Sequence, residues 1–260
     1  MAHLEAHLRA RRDAGHKLLV PDVTGGLDDG WLDLVRAFAD AGADAIEVGI
    51  PFSDPVMDGP TIQAASEQAL RRGATPPRIL DELSTVDAGV PLVAMTYYNL
   101  AYHAGHERFA AQLADAGVDG CILPDLPLEE VGGWAAAADT AGVETVLLAA
   151  PTAPDERLPR ICARSRGFVY AVSLVGITGE RASLSGTALH MARRLKAVTD
   201  QPVIAGIGIS DAAQAVEVCS VADGVVMASL LMRQRIEGAT VEQVAATVRV
   251  VRKALDGLRG

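Results

Sequence analysis

Three carboxylates lie close together in the segment EVGIPFSDPVMDGPTIQ, residues 47–63. The first, Glu47, stands between Ile46 and Val48 in a short apolar run that is typical of a buried strand. A carboxylate in such a strand needs a partner or a task, because burying an unpaired charge is costly. Glu47 is therefore a candidate functional residue, with a buried carboxylate that has a partner as the alternative.

The other two carboxylates, Asp54 and Asp58, follow in the Pro- and Gly-rich loop after that strand. An Asp in such a loop commonly forms a turn or caps the N-terminus of a helix. For Asp54, within Ser-Asp-Pro, the pattern favours a turn. For Asp58 two interpretations stay open, a turn or cap residue and a functional carboxylate that acts beside Glu47.

Glycine-rich segments occur late in the chain, as SLVGITG at 173–179, GIGIS at 206–210 and MASL at 227–230. Glycine lets a ligand approach the backbone, and backbone N–H groups at a helix N-terminus can bind phosphate. Tight turns between packed elements explain the same glycines equally well. The sequence contains neither a P-loop nor a complete G-x-G-x-x-G, so it gives nucleotide binding little support.

Short β-branched runs alternate with amphipathic helical patterns along the chain. Helical patterns occupy 31–42, 107–117 and 190–199, and several end at a glycine suited to a left-handed cap. Four strands follow a recurrent phrase, AGADAI, AGVDGC, AGVETV or VADGVV, which indicates a device that ends a helix and starts a strand. The predicted strands are 17–23, 45–50, 91–95, 120–123, 144–149, 167–172, 202–206 and 224–227.

Eight apolar strands separated by helices predict a parallel sheet covered on its outside. We therefore predict an α/β protein, a single-domain (β/α)8 TIM barrel over residues 1–260 with an extra N-terminal helix, since no linker or charge block divides the chain. An open doubly wound sheet is the alternative. Barrels of this kind carry their chemistry at the C-terminal ends of the strands. Glu47 and Asp58 would both lie at that end.

Composition excludes several classes of protein. The formal net charge of −10 argues against nucleic-acid binding, which needs clustered Lys and Arg. The sequence shows no signal peptide and no apolar run of membrane-spanning length, which predicts a cytoplasmic protein. Cys121, Cys162 and Cys219 are too widely spaced for a C-x-x-C motif, so we expect three buried, reduced side chains. His3 and His7 share a helical face without a third ligand, and no metal site is predicted.

The segment 47–63 is similar to the signature of tryptophan synthase α subunits. Six further motifs are similar to that family and follow in the expected order over most of the chain. They are LLVPDVTGG at 18–26, AMTYYN at 94–99, ILPDLPLEE at 122–130, APTAP at 150–154, SLVGITG at 173–179 and AGIGIS at 205–210. The resemblance implies a retro-aldol cleavage of indole-3-glycerol phosphate to indole and glyceraldehyde 3-phosphate, without a cofactor or metal in this chain.

The resemblance also implies roles for individual residues. Glu47 would be the general acid/base that protonates the indole ring carbon and takes the proton from the glycerol hydroxyl beside the breaking bond. Asp58 would accept the indole N–H and stabilise positive charge on the ring. Thr178 would orient the catalytic carboxylate when its loop closes. The positions that match substrate-binding residues are Tyr97, Tyr170, Thr178, Gly179, Gly208 and Ser229.

A partner follows from the same resemblance. In that family the loops after the second and sixth strands face a pyridoxal-phosphate-dependent β subunit, to which indole passes within an α2β2 tetramer. The prolines and Asp54 of the loop after the second strand would then shape a contact surface as well as a catalytic loop. Pyridoxal phosphate is expected only in the β subunit.

Three positions depart from the family pattern. Asp22 stands where an aromatic residue usually lies beside the indole, Ala228 replaces a common Gly, and Leu100 replaces a frequent Pro. Asp22 leaves open a second hypothesis, a stand-alone lyase that releases indole or acts on a modified indole. A third hypothesis is a weakly catalytic barrel that mainly binds and activates a β subunit, against which Glu47 and Asp58 argue.

Overall fold

The computed structural model describes residues 4–173, 181–206 and 208–258, with only the backbone described for 181–185. Within these residues eight parallel strands form a closed barrel in chain order, and β8 pairs with β1. This arrangement confirms the predicted (β/α)8 barrel and excludes the open sheet. The strands are β1 (Leu18–Thr24), β2 (Ile46–Gly49), β3 (Leu92–Met95), β4 (Gly120–Ile122), β5 (Glu144–Ala149), β6 (Val169–Val172), β7 (Val203–Gly206) and β8 (Gly224–Met227).

Helices surround the barrel and connect its strands, and a short 3-10 helix (Asp155–Arg157) precedes α8. The α-helices are α1 (Leu4–Asp13), α2 (Trp31–Asp40), α3 (Pro60–Arg71), α4 (Pro76–Leu83), α5 (Tyr98–Ala104), α6 (His106–Asp115), α7 (Gly132–Ala141), α8 (Leu158–Arg164), α9 (Arg181–Lys196), α10 (Ala212–Cys219), α11 (Ser229–Ile236) and α12 (Val241–Asp256). Their apolar faces pack on the outside of the strands, as a parallel sheet requires.

The predicted strands are confirmed, and their ends lie within two residues of those observed. The predicted helix at 190–199 is wrong at both ends, because α9 begins at Arg181 and ends at Lys196. The first half of α9 contains Ser, Gly and Thr, which have low helix propensity and resemble a loop in sequence. Packing supports the helix instead, since Ala188, Met191 and Leu195 are fully buried.

The extra N-terminal helix α1 closes one end of the barrel. Its Leu4 and Leu8 are fully buried and join the apolar side chains that fill the barrel interior. Gly120 and Gly167 make room for Leu4, because a Cβ at either glycine would lie 2.7 or 2.6 Å from the Leu4 side chain. The interior residues of this cluster are Leu18, Val20, Ala45, Val93, Ile122, Val146, Phe168, Ile204 and Val226.

The recurrent phrase before four strands has a structural explanation. In three cases the acidic residue of the phrase lies one or two residues before the new strand. Its carboxylate accepts a backbone N–H from the start of the preceding strand. These bonds run from Leu19 to Asp44 (2.9 Å), from Leu92 to Asp119 (3.1 Å) and from Val203 to Asp223 (2.8 Å). In the fourth case the Glu144 carboxylate accepts the Glu5 N–H of α1 at 2.8 Å. The acidic residues of the phrase therefore join neighbouring elements by hydrogen bonds at the end of the barrel that α1 covers.

The remaining expectations from composition concern side chains and spans. Cys121, Cys162 and Cys219 are buried free thiols, as predicted. In the described part of the chain, no helix combines the length and the apolar character needed to cross a bilayer. In that same part, no group of three or more His, Cys, Asp and Glu side chains is arranged to hold a metal ion.

Candidate active site

Glu47 lies in β2 with its side chain inside a cavity at the C-terminal end of the strands. It is 3% exposed, and its Oε2 accepts no hydrogen bond from any residue that the structure describes. Burial raises the pKa of Glu47 well above its ordinary value, and the nearby charges of Asp22 and Asp58 raise it further. The Glu47 carboxyl therefore holds its proton to higher pH than an exposed Glu does.

Asp58 lies half-buried in the loop between β2 and α3, and Tyr97 holds this loop in place. The Tyr97 hydroxyl accepts the Met57 N–H at 2.8 Å and hydrogen-bonds the Asp58 carboxylate. The Tyr97 ring stacks on Phe52 of the same loop, with ring centroids 5.1 Å apart. Burial raises the pKa of Asp58, and the hydrogen bond from Tyr97 opposes that rise. Asp58 is thus the more easily ionised of the two predicted acids.

Asp22 also faces the cavity. It lies in β1 opposite Glu47 in the strand register, is 5% exposed, and places Oδ1 near Gly49. Burial, and then the charge of Asp58, raise the pKa of Asp22 to about 8. At neutral pH its carboxyl is therefore mainly protonated, which removes most of the cost of burying it.

The cavity has a volume of about 220 Å³ and combines these acids with an apolar wall. Phe52, Ile62, Leu148 and Val226 form part of that wall. Sequence reasoning missed these four residues. Leu148 and Val226 lie near the C-terminal ends of β5 and β8, and that position was the available signal. Such a wall suits a flat aromatic group.

Tyr170 of β6 forms another side of the cavity, as predicted for an aromatic lining residue. Its ring and hydroxyl lie directly over Gly206, where a Cβ would come within 2.3 Å of them. Burial, and then the charges of Glu47, Asp22 and Asp58, raise the pKa of Tyr170 well above its ordinary value. The hydroxyl therefore stays protonated and can donate a hydrogen bond within the cavity.

Residues that follow β7 and β8 line a further part of the cavity. Gly208 has a φ of +63°, and Ser229 is the first residue of α11. Both line the cavity, together with Ala228 and the buried Ser173 after β6. Backbone N–H groups at the start of a helix favour an anionic ligand.

The structure thus brings six of the predicted residues to one cavity, and two others lie outside the residues that it describes. The six are Glu47, Asp58, Tyr97, Tyr170, Gly208 and Ser229. The two outside the described residues are Thr178 and Gly179. The barrel is closed and parallel, and it carries carboxyl groups and glycines together at the C-terminal ends of its strands. These features define a TIM-barrel enzyme.

Comparisons with known proteins identify the family. The family model described as "Tryptophan synthase alpha chain" matches residues 8–257. The tryptophan synthase alpha chain of Streptomyces coelicolor is 48% identical over 222 residues, which cover 84% of this chain and 79% of that one. The corresponding chain of Streptomyces avermitilis is 43% identical and covers 97% of this chain and 93% of its own length.

Solved structures agree with the sequence matches. Tryptophan synthase subunit alpha from Legionella pneumophila superposes with a TM-score of 0.89 at 30% identity, covering 99% of both chains. A chain of Mycobacterium tuberculosis tryptophan synthase gives a TM-score of 0.89 at 36% identity, covering 97% of both chains. The chain belongs to the family of tryptophan synthase alpha chains. It is therefore a carbon–carbon lyase of tryptophan biosynthesis, and the stand-alone and weakly catalytic alternatives are not favoured.

Proposed function

We propose that this cavity binds indole-3-glycerol phosphate and cleaves it to indole and glyceraldehyde 3-phosphate through carboxyl groups alone. The observation that supports this most strongly is the pairing of two acids in different surroundings. Glu47 is buried on a strand and holds its proton, whereas Asp58 lies half-buried on a loop and accepts a hydrogen bond from Tyr97. Two acids with separated pKa values can divide the work of one reaction.

Glu47 acts first as an acid and then as a base. Its protonated carboxyl donates the proton to the indole ring carbon that carries the glycerol chain, which leaves a positive charge on the ring. The resulting carboxylate takes the proton from the hydroxyl next to the breaking bond. A carbonyl forms there, the carbon–carbon bond breaks, and its electron pair returns to the ring. Glu47 ends the cycle protonated, because the hydroxyl proton that it takes replaces the one that it gave to the ring carbon.

Asp58 stabilises the positive charge that appears on the ring. Its carboxylate accepts the indole N–H, and that hydrogen bond strengthens as the ring nitrogen becomes electron-poor. The Tyr97 hydroxyl holds the Asp58 carboxylate and the Met57 N–H on the same loop, so Asp58 is oriented before the substrate binds. Preorganised charge of this kind needs no rearrangement during the reaction.

The two ends of the substrate fit the two ends of the cavity. The indole lies against the apolar wall that includes Phe52, Leu148 and Tyr170. The phosphate lies at Gly208 and Ser229, near the start of α11, where backbone N–H groups offset its charge. The contribution of Thr178 and Gly179 to closure and phosphate binding stays a prediction.

We also propose that a tryptophan synthase β subunit binds the loop after β2, in an α2β2 assembly. The loop exposes two large apolar side chains, Val56 at 80% and Met57 at 54%. Exposed apolar groups beside an active-site mouth are typical of a protein contact. Pyridoxal phosphate belongs to that partner in this proposal, and the cytoplasmic location stays a prediction.

The decisive experiment is steady-state cleavage of indole-3-glycerol phosphate by the purified chain, with and without a β subunit. We expect activity that rises with the β subunit and is lost in Glu47→Gln, whose circular dichroism spectrum stays that of the native chain. Glu217→Gln, on the exposed side of α10, is the matched control and keeps full activity. Full cleavage by Glu47→Gln would contradict the proposed acid. Equal activity with and without the partner would contradict the assembly.

A further inference from the structure

Asp22 and Glu47 are two buried acids that lie side by side on neighbouring strands. Their Cα atoms are register partners in β1 and β2, and both side chains line the same cavity. Asp22 is 5% exposed and Glu47 is 3% exposed. Among the described residues, none donates a hydrogen bond to Glu47 Oε2. The reaction described above uses Glu47 and Asp58 and leaves Asp22 without a task.

The charged and titratable groups around this pair come from three other elements. Asp58 faces it from the loop after β2, Tyr97 from the residue before α5, and Tyr170 from β6. None of the described residues that line the cavity is Lys, Arg or His. Negative charge on one carboxyl is therefore not compensated by a cation of the lining and disfavours ionisation of the next.

The three carboxyls consequently ionise in a definite order. Asp58 ionises first, because it is only half-buried and accepts the hydrogen bond from Tyr97. Asp22 follows, since burial and the charge of Asp58 raise its pKa to about 8. Glu47 is last, because its Oε2 is fully buried and accepts no hydrogen bond from a described residue. Burial and the charges of both other acids raise its pKa well above its ordinary value.

We propose that Asp22 is a positioning residue for the cleavage reaction, which takes the second negative charge of the cavity and thereby holds the proton on Glu47. This inference rests on the proposed role of Glu47 as the general acid. As the pH rises above neutral, Asp22 loses its proton before Glu47 does. The new charge, one strand away, opposes ionisation of Glu47 and extends the alkaline range in which Glu47 can donate its proton.

The direct test is a titration without substrate. Carbon-13 NMR of protein labelled at its Asp and Glu carboxyls follows the Glu47 signal, which is assigned as the signal missing in Glu47→Gln. In Asp22→Asn we expect the midpoint of Glu47 ionisation to fall by about one pH unit or more, because a coupled neighbour has been made neutral. Asp115→Asn, at the exposed end of α6, changes the net charge equally and leaves the midpoint unchanged. An unchanged or higher midpoint in Asp22→Asn would overturn the inference.

The kinetic test uses the same variants. In Asp22→Asn the alkaline limb of kcat should move to lower pH by about the same amount, while KM near neutral pH changes little. A limb that moves to higher pH would show that neutral Asp22 itself is required, and would overturn the inference. A third outcome is that the Glu47 midpoint falls in Asp22→Asn while neither the native chain nor any variant cleaves the substrate. In that case the proposed function fails and the electrostatic coupling between Asp22 and Glu47 stands.

Discussion

Tyr97 binds two groups of the loop after β2 through its one hydroxyl group. That hydroxyl accepts the Met57 N–H at 2.8 Å and hydrogen-bonds Asp58, while its ring stacks on Phe52. The residue therefore both fixes the loop after β2 and lowers the pKa of the Asp58 carboxyl. Its effect on the reaction passes through Asp58, which makes it a positioning residue as well as part of the cavity wall.

Tyr97→Phe separates these functions, because it keeps the stacked ring and removes the hydroxyl. We expect kcat to fall about 10-fold, since the Met57 N–H and the Asp58 carboxylate each lose a hydrogen bond. The acid limb of the pH profile should move to higher pH, because Asp58 loses the interaction that lowers its pKa. Measurement of kcat against pH checks both effects. Tyr102→Phe, whose side chain is 66% exposed on α5, is the control and leaves the profile unchanged.

Single residues differ in how much of their role the sequence predicts. Glu47 was recognisable because a carboxylate inside an apolar strand stands out. Asp58 became a specific candidate only through the family resemblance, because a loop Asp also fits a turn. The position of Asp22 inside the cavity required the register of β1 against β2, which pairs it with Glu47. The same holds for the Tyr97 contact with a loop 40 residues earlier in the chain.

At the scale of elements, acidic residues that precede strands stabilise the end of the barrel that α1 covers. Asp44 has three partners for its carboxylate among the described residues. Its fully buried carboxylate accepts the Leu19 N–H of β1, the Arg11 side chain of α1 at 2.7 Å and the Arg252 side chain of α12 at 3.0 Å. One side chain thus links the first helix, the first strand and the last helix. Removing it leaves the buried Arg252 guanidinium without this carboxylate.

Asp44→Ala should therefore lower the free energy of unfolding by about 3–5 kcal/mol, the usual cost of breaking a buried ion pair. Urea unfolding followed by circular dichroism measures the change. Asp33→Ala is the matched control, because Asp33 pairs with Arg36 where both side chains are exposed. It should cost less than about 1 kcal/mol. Equal losses in the two variants would show that the Asp44 network does not contribute in this way.

The elements themselves followed closely from sequence. Strand ends were predictable because apolar β-branched runs are bounded by Gly, Pro and acidic residues. The start of α9 was not, since its first half contains Ser, Gly and Thr, which have low helix propensity. The division of the whole chain into one domain stays a prediction.

At the scale of the whole molecule, the cavity acids make stability depend on pH. Asp22 has a pKa of about 8 in the folded chain, far above that of an unfolded Asp. The folded state therefore binds more protons than the unfolded state between about pH 4 and about pH 8. In this range the contribution of Asp22 to stability falls as pH rises. Glu47, whose pKa is also raised, acts in the same direction.

Asp22→Asn removes one of these groups, so the variant should gain stability over the native chain as pH rises. The gain should grow by up to about 1.4 kcal/mol per pH unit between about pH 5 and about pH 8. Unfolding free energies measured in urea across that range check the slope. Asp115→Asn should run parallel to the native chain. A pH-independent difference between Asp22→Asn and the native chain would contradict the raised pKa.

The position of α1 has a consequence for synthesis. Leu4 and Leu8 precede every strand in the chain, yet they belong to one buried cluster with Phe168, Ile204 and Val226. The ribosome therefore releases α1 with two leucines whose buried cluster is completed only after β8 has emerged and paired with β1. During translation these leucines remain open to chaperones and to other nascent chains. A helix that is translated before every strand of the barrel is thus among the last elements to gain all of its native contacts.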